Sequence, residues 1–235
     1  MVRTRSMGGD AVMQRDAKMV HLVRRYSTRQ EWSEWLQAPF DCAARAGDLE
    51  VVEALVDSGA DVNGVCGAES DTALHVAAAW DHPAVVQAWV RAGADTENRN
   101  RRGSTALHMA CSHGHSAVVQ LLLGAGASAD AYTVERWRGN IVPLRNAALG
   151  GHAEVVGQLL DAGATVNARS ALGGTALHNV SHRGHIEVMQ QLVDAGADVE
   201  ATEDGGYFTP LHVAADAGCV AAGRFLLGVG ADTEA

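Results

Sequence analysis

Histidines are the residues here with the clearest capacity for site chemistry. The sequence has eleven. His113-Gly114-His115 and His182-Arg183-Gly184-His185 have spacings at which two imidazoles can share a zinc ion. A zinc site needs further donors, and no carboxylate or thiolate cluster completes either pair with a defined geometry. Most of the histidines obey another regularity. His75, His108, His178 and His212 fall in one periodic column, and His82, His115, His152 and His185 in a second. Side chains that return at a fixed interval hold a repeated structure together. These eight are therefore read as structural groups bonding neighbouring turns and loops, and no metal is expected. Enzymatic signatures are missing too: there is no Gly-x-Ser-x-Gly elbow and no Gly-x-x-x-x-Gly-Lys phosphate loop. Gly173-Gly174 and Gly205-Gly206 are read as turn glycines, chosen for positive φ. The expectation is no catalytic residue, no cofactor and no enzyme activity.

Recognition is the chemistry that remains. The stretch Tyr132 to Leu144, YTVERWRGNIVPL, places a tryptophan between two arginines, Arg136-Trp137-Arg138. Trp, Tyr and Arg are the residue types most enriched at binding hot spots, and the Arg fork matches carboxylate or phosphate. Such residues act only if the elements beneath them hold them out, so the period of the chain decides where they sit.

Gly-Ala recurs at 59-60, 93-94, 126-127, 163-164, 196-197 and 230-231, in steps of 34, 33, 37, 33 and 34. Phe40, Leu74, Leu107, Leu144, Leu177 and Leu211 step identically. Two independent columns in one register establish a repeat. The interval of 37 contains the Arg-Trp-Arg stretch. Each unit reads as two short helices. The first opens on Thr followed by Ala or Pro, as in Thr72-Ala73-Leu74-His75 and Thr209-Pro210-Leu211-His212. Thr caps an orphan backbone N–H, and Pro at the first helical position loses nothing by lacking one. Ala77, Ala110, Ala147 and Ala214 keep that helix thin. The second helix carries one apolar stripe, as in Val118-Val119 and Leu121-Leu122-Leu123, and the Gly of Gly-Ala ends it at C′. Helices this short are marginal alone, so each must bury its stripe on the next unit. Trp89 takes the column of Leu122, Leu159 and Leu192 and is assigned to the core.

The composition agrees. The chain has 235 residues, 47% hydrophobic and 20% charged, with no apolar run long enough to span a membrane. Four dispersed cysteines without a Cys-x-x-Cys pair read as reduced thiols of an intracellular protein, cytoplasmic first, with the nucleus as an alternative. The net charge is −10, but residues 1–29 hold seven basic groups against Asp10 and Asp16, net +5, which leaves −15 for the rest. An acidic body argues against nucleic acid as a partner.

Thr209-Pro210-Leu211-His212-Val213-Ala214-Ala215, Gly184-His185-Ile186-Glu187-Val188 and Gly196-Ala197-Asp198-Val199 resemble the ankyrin repeat. The resemblance covers about Ala38 to Ala235 as six units: 38–71, 72–104, 105–141, 142–174, 175–208 and 209–235. It implies an all-α solenoid of helix-turn-helix units with β-turn or hairpin fingers. Unit one departs with Asp41-Cys42 where His would be expected after Phe40, and unit four with Arg145 in the His column. The resemblance also implies that a protein partner meets the finger tips and the open ends of the first helices. Those positions are Arg101, Arg102, Arg136, Trp137, Arg138, Arg169, Leu172, Tyr207 and Phe208 on fingers, and Trp80, His113, His182 and Arg183 on helix ends. For Trp80, exposure and burial against the next unit are evenly balanced. The expected occupant is an acidic or phosphorylated segment. The expected role is non-catalytic protein binding, with an adaptor that brings a substrate to a separate enzyme as the alternative. Asn63 and Asn167 sit where finger asparagines of such proteins are hydroxylated, which would modify the protein without being its function.

The ends are read separately. Residues 1–27 form a basic tail, open to four readings: disorder, a helical cap extension, contact with an acidic or membrane surface, and an organelle presequence. Arg24-Arg25-Tyr26-Ser27 resembles a mitochondrial processing site, and Asp10 and Asp16 argue against it. Residues 28–37 are expected as a cap helix, from the capping-box pair Thr28 and Glu31 and the face Trp32, Trp35 and Leu36. The last second helix carries Phe225, Leu226 and Leu227 and no polar cap follows, so further repeats or self-association at that face is an open expectation.

Overall fold

The computed structural model describes residues 40–66, 69–133, 141–203, 205 and 207–233. They form helix pairs: residues 40–46 (α1) with Leu49–Asp57 (α2), Ala73–Ala79 (α3) with Pro83–Arg91 (α4), and Ala106–His113 (α5) with Ser116–Gly124 (α6). Pro143–Gly150 (α7) pairs with Ala153–Asp161 (α8), Ala176–Arg183 (α9) with Ile186–Asp194 (α10), and Pro210–Asp216 (α11) with Val220–Gly228 (α12). The tail 1–27, the expected cap helix 28–37 and Arg136, Trp137 and Arg138 lie outside the described residues.

The starts and stops follow the residues. Thr72, Thr105, Thr175 and Thr209 occupy extended N-cap conformations, and Pro83, Pro143 and Pro210 open their helices. α6 is capped by Ala125, and Gly126 follows with φ 91°, the left-handed turn that a side chain would disfavour. Such turns send the chain into a finger. The first finger pairs Val65–Cys66 (β1) with Asp71–Thr72 (β2), antiparallel, in the register Val65↔Thr72 and Cys66↔Asp71. The fifth closes with a single Glu203↔Phe208 bridge.

First helices stack side by side, α3 on α5, α5 on α7, α7 on α9 and α9 on α11, and second helices form a parallel outer row. The core runs unbroken between the rows. Leu55, Trp89, Leu122, Leu159, Leu192 and Leu226 make its outer column, all fully buried. Each such side chain contributes about 1.5–3 kcal/mol by leaving water. Trp89 is 0% exposed and packs on Phe40 with ring centroids 4.7 Å apart, so one unit places a large ring where the others place leucine. The Ala column, Ala77, Ala110, Ala147 and Ala214, is buried to 1% or less and lets the two rows approach.

Candidate functional site

Three ladders of polar side chains set the geometry of the exposed face. The first belongs to the buried histidines. His108 Nδ1 accepts from the Thr105 backbone N–H (3.2 Å) and lies 2.9 Å from Thr105 Oγ1. A backbone N–H can only donate, so the ring proton must sit on Nε2, which donates to the Ile141 carbonyl of the next finger (3.0 Å). His75 repeats this with Thr72 and Ser104, and His178 with Thr175 and Phe208. The histidine thus plays the part usually taken by Glu or Gln in a capping box, and also pins the following finger. Burial lowers the pKa of His75 and His178 and pushes that of His108 down to about 4. These rings are neutral structural bases.

A second ladder runs backwards. His82 Nε2 bonds the Arg45 carbonyl (2.8 Å), His115 the Ala79 carbonyl (3.1 Å) and His152 the Ser112 carbonyl (3.3 Å), each at the end of the preceding first helix. These rings lie over turn glycines so closely that a Cβ on Gly114 would stand 2.5 Å from His152 Nδ1. In the second unit the turn residue is Asp81, at φ 56°, with Oδ2 3.8 Å from His115 Nδ1. The last unit has Cys219 in place of the histidine, packed over Gly184.

The third ladder, missed as a column from the sequence, ties finger to finger. Asn63 Oδ1 accepts from Asp95 N–H (2.8 Å), Glu97 from Ser128 (2.9 Å), Asp130 from Thr165 (2.9 Å), Asn167 from Asp198 (2.9 Å) and Glu200 from Asp232 (2.8 Å). Its signal was an Asn, Asp or Glu in that one position of every finger, but only Asn63 and Asn167 were singled out.

On this frame the finger arginines separate. Arg169 donates to the Thr202 carbonyl of the next finger (2.9 Å), and Arg99 does the same to the Tyr132 carbonyl while its guanidinium lies over the Tyr132 ring. Arg169 therefore already has a structural partner, which competes with the anion-holding role expected of it. Arg102 pairs with Glu69 at 3.2 Å, both well exposed. Arg101 is exposed, and its side chain has no ion pair or hydrogen bond among the described residues. The fourth and fifth fingers are apolar at their tips: Leu172 is 62% exposed, Tyr207 78%, and Phe208 is exposed beside them.

Trp80 is 54% exposed, with the Arg45 guanidinium over its ring. It is the C-cap of α3, beyond the last residue that packs, which decides between the two sequence alternatives. The three middle first helices each leave one open stripe at i, i+3 and i+4. In α5 it is Met109, Ser112 and His113, in α7 Asn146, Leu149 and Gly150, and in α9 Asn179, His182 and Arg183. Neighbouring first helices and the outer row cover the other sides, so the stripes lie next to one another along the row of first helices. His113 bonds the Met109 carbonyl through Nδ1 (2.9 Å) and stacks on His115 at 5.5 Å. Among the described residues no group of three or more His, Cys, Asp or Glu is placed to hold a metal ion. No described helix is long and apolar enough to cross a membrane.

A family model described as ankyrin repeats, in three copies, matches residues 35–133 and 144–235. Among solved structures, the ankyrin repeat domain of Bcl-3, described as a unique member of the IkappaB protein family, superposes with a TM-score of 0.79 at 30% identity. That match covers 96% of this chain and 99% of the other. The human ASB11 ankyrin repeat domain gives 0.76 at 28% identity, over 84% and 86% of the two chains. A comparison with curated proteins gives no match. With the family model matching on both sides of the long finger, and the same stack of helix pairs solved in other proteins, the chain belongs to the ankyrin repeat family.

Proposed function

We propose that the chain is a non-catalytic recognition module that binds an acidic or phosphorylated segment of a partner protein across its fingers and the adjoining groove. Ankyrin repeats generally mediate protein–protein interaction, which sets the class. The observation that carries the reading is the set of large side chains held out of the core. Trp80, Leu172 and Tyr207 are all more than half exposed, where a surface facing water gains nothing from them. Arg101 and Arg183 are exposed as well. They favour an anionic segment, with the aromatic and aliphatic groups supplying buried contact. Arg136, Trp137 and Arg138 would extend the basic part of this surface through the long finger. Arg102 would take part by exchanging Glu69 for the partner's acid.

The test is a salt series. Partner captured by the wild-type protein should fall away as ionic strength rises, because exposed charge pairs are screened within about 10 Å at 0.1 M salt. Arg101→Ala with Arg183→Ala should reproduce that loss at low salt with the melting temperature unchanged. Capture that ignores both salt and the paired substitution overturns the anionic part of the reading.

A further inference from the structure

Asn63 is followed by Gly64, and no other Asn-Gly pair occurs in the sequence. An asparagine carboxamide lies within reach of the main-chain nitrogen of the next residue. When that residue is glycine, no side chain hinders closure of an imide ring between them. Asn167 holds the same place in the fourth finger but precedes Ala168. The fold uses both asparagines alike: Asn63 accepts the Asp95 N–H of the next finger (2.8 Å), and Asn167 that of Asp198 (2.9 Å). They differ at the atoms that ring closure involves. Asn63 Oδ1 also accepts from Asn98 Nδ2 (3.1 Å), so two N–H donors converge on it. Negative charge that develops on this oxygen as Cγ is attacked meets donors already in place, as in an oxyanion hole. Asn63 Nδ2 has no hydrogen bond among the described residues, whereas Asn167 Nδ2 donates to the Gly196 carbonyl (3.0 Å). The nitrogen that would leave is free at Asn63 and tied at Asn167. Gly64 N–H donates to the Asp61 carbonyl (3.1 Å) in the turn before β1, and that bond has to open first.

We infer that Asn63 is a site of spontaneous covalent modification by the main chain that follows it. The Gly64 nitrogen gives its proton to solvent base and bonds to Asn63 Cγ. The bond from Cγ to Nδ2 breaks, and Nδ2 takes a proton from solvent and leaves as ammonia. Water then opens the imide at either carbonyl, which gives an aspartate or an isoaspartate. Either product places a carboxylate beside Asp61, whose Oδ1 already takes the Asn63 N–H (3.0 Å). The isoaspartate also lengthens the main chain directly ahead of β1. The tie to Asp95 and the register Val65↔Thr72 both depend on that stretch. Modification therefore loosens the first finger from the second, with time and pH as its controls and no enzyme needed. This chemistry is independent of the recognition reading above.

The test holds the whole chain, folded, at neutral and at mildly alkaline pH and samples it over time by peptide mapping with mass spectrometry. Peptides carrying Asn63 should gain the mass that exchange of NH2 for OH gives. The rate should rise with hydroxide concentration, ammonia should be released, and isoaspartate should be among the products. Peptides carrying Asn167 should stay unchanged over the same period. Gly64→Ala should slow conversion at least about tenfold. Asn98→Ala removes one of the donors to Oδ1 and should slow it too. In converted protein, hydrogen exchange at the Asp95 amide should quicken. An unchanged Asn63 in the wild-type protein overturns the inference, as does conversion of Asn63 and Asn167 at equal rates. Conversion in Asn98→Ala as fast as in the wild type, or faster, also overturns it, because the donors would then only restrain the side chain. A mass gain equal to an added oxygen, with no ammonia, would show hydroxylation in its place and overturn it.

Discussion

Acid should loosen the stack through the capping histidines, and His108 allows the size to be worked out. Its ring is 1% exposed, and both nitrogens are committed, one as acceptor and one as donor. A proton on Nδ1 would face the Thr105 N–H donor inside the core. The folded pKa is accordingly lowered from 6.5 to about 4. In the unfolded chain the ring takes up a proton near 6.5, so between about pH 6.5 and 4 the unfolded state binds more protons than the folded one. Stability is thus fully present above the unfolded value, falls as pH drops through that window, and levels off below about 4. At about pH 4.5 the loss from this one ring is roughly 2.5 kcal/mol, with 1.36 kcal/mol per unit of pKa. His75 and His178 are shifted in the same direction and add to it. Urea unfolding of wild type and His108→Gln at about pH 7.5 and 4.5 isolates the effect. Gln at this position can still receive the Thr105 N–H, but does not titrate. The variant should be less stable near neutrality by about 1 kcal/mol, for the lost bond to Ile141. It should lose about 2.5 kcal/mol less than wild type on acidification. Carboxylates that titrate in both proteins cancel in the difference. Equal losses for the two proteins would refute the assignment of His108 as a buried neutral base.

Other consequences are as direct. Gly59→Ala should cost about 1 kcal/mol for its positive φ, with open space around the new methyl, whereas Gly114→Ala should cost clearly more because His152 must move; chemical unfolding separates the two. Leu122→Ala should lower stability by about 2–5 kcal/mol, as a cavity in the middle of the outer column. Asp130→Ala removes the acceptor of both Thr165 N–H and Oγ1 and should cost about 1–3 kcal/mol, seen as faster hydrogen exchange in the finger that Thr165 opens. Zinc in excess should leave the melting temperature unchanged, since His113 and His115 are each engaged with a carbonyl; a rise would reopen a metal role.

The helical frame was legible because its determinants are local and repeat. Thr before Ala-Leu-His, Gly after the second helix and the leucine column each state their place through one residue type at one interval. Trp89 could be assigned to the core because it sits in that column. Trp80 could not be placed, because the last residue of a first helix lies either side of the packing boundary depending on where the helix stops. The finger arginines were read as one basic group, since sequence gives charge but not direction. Arg99 and Arg169 turn along the stack to the next finger, while Arg101 does not. The histidines were read as structural groups, but the sequence did not indicate that one set caps forwards and the other reaches back.

The central claim is that one face, the fingers and the groove beside them, does the binding. Affinity capture with matched variants tests it most directly: Trp80→Ala with Tyr207→Ala on that face, against Gln87→Ala with Gln120→Ala on the exposed outer row, all shown to melt at the same temperature. The account predicts that partners held by the wild type are lost from the first variant and kept by the second. Partners kept by the first and lost from the second would place recognition on the outer row and contradict it.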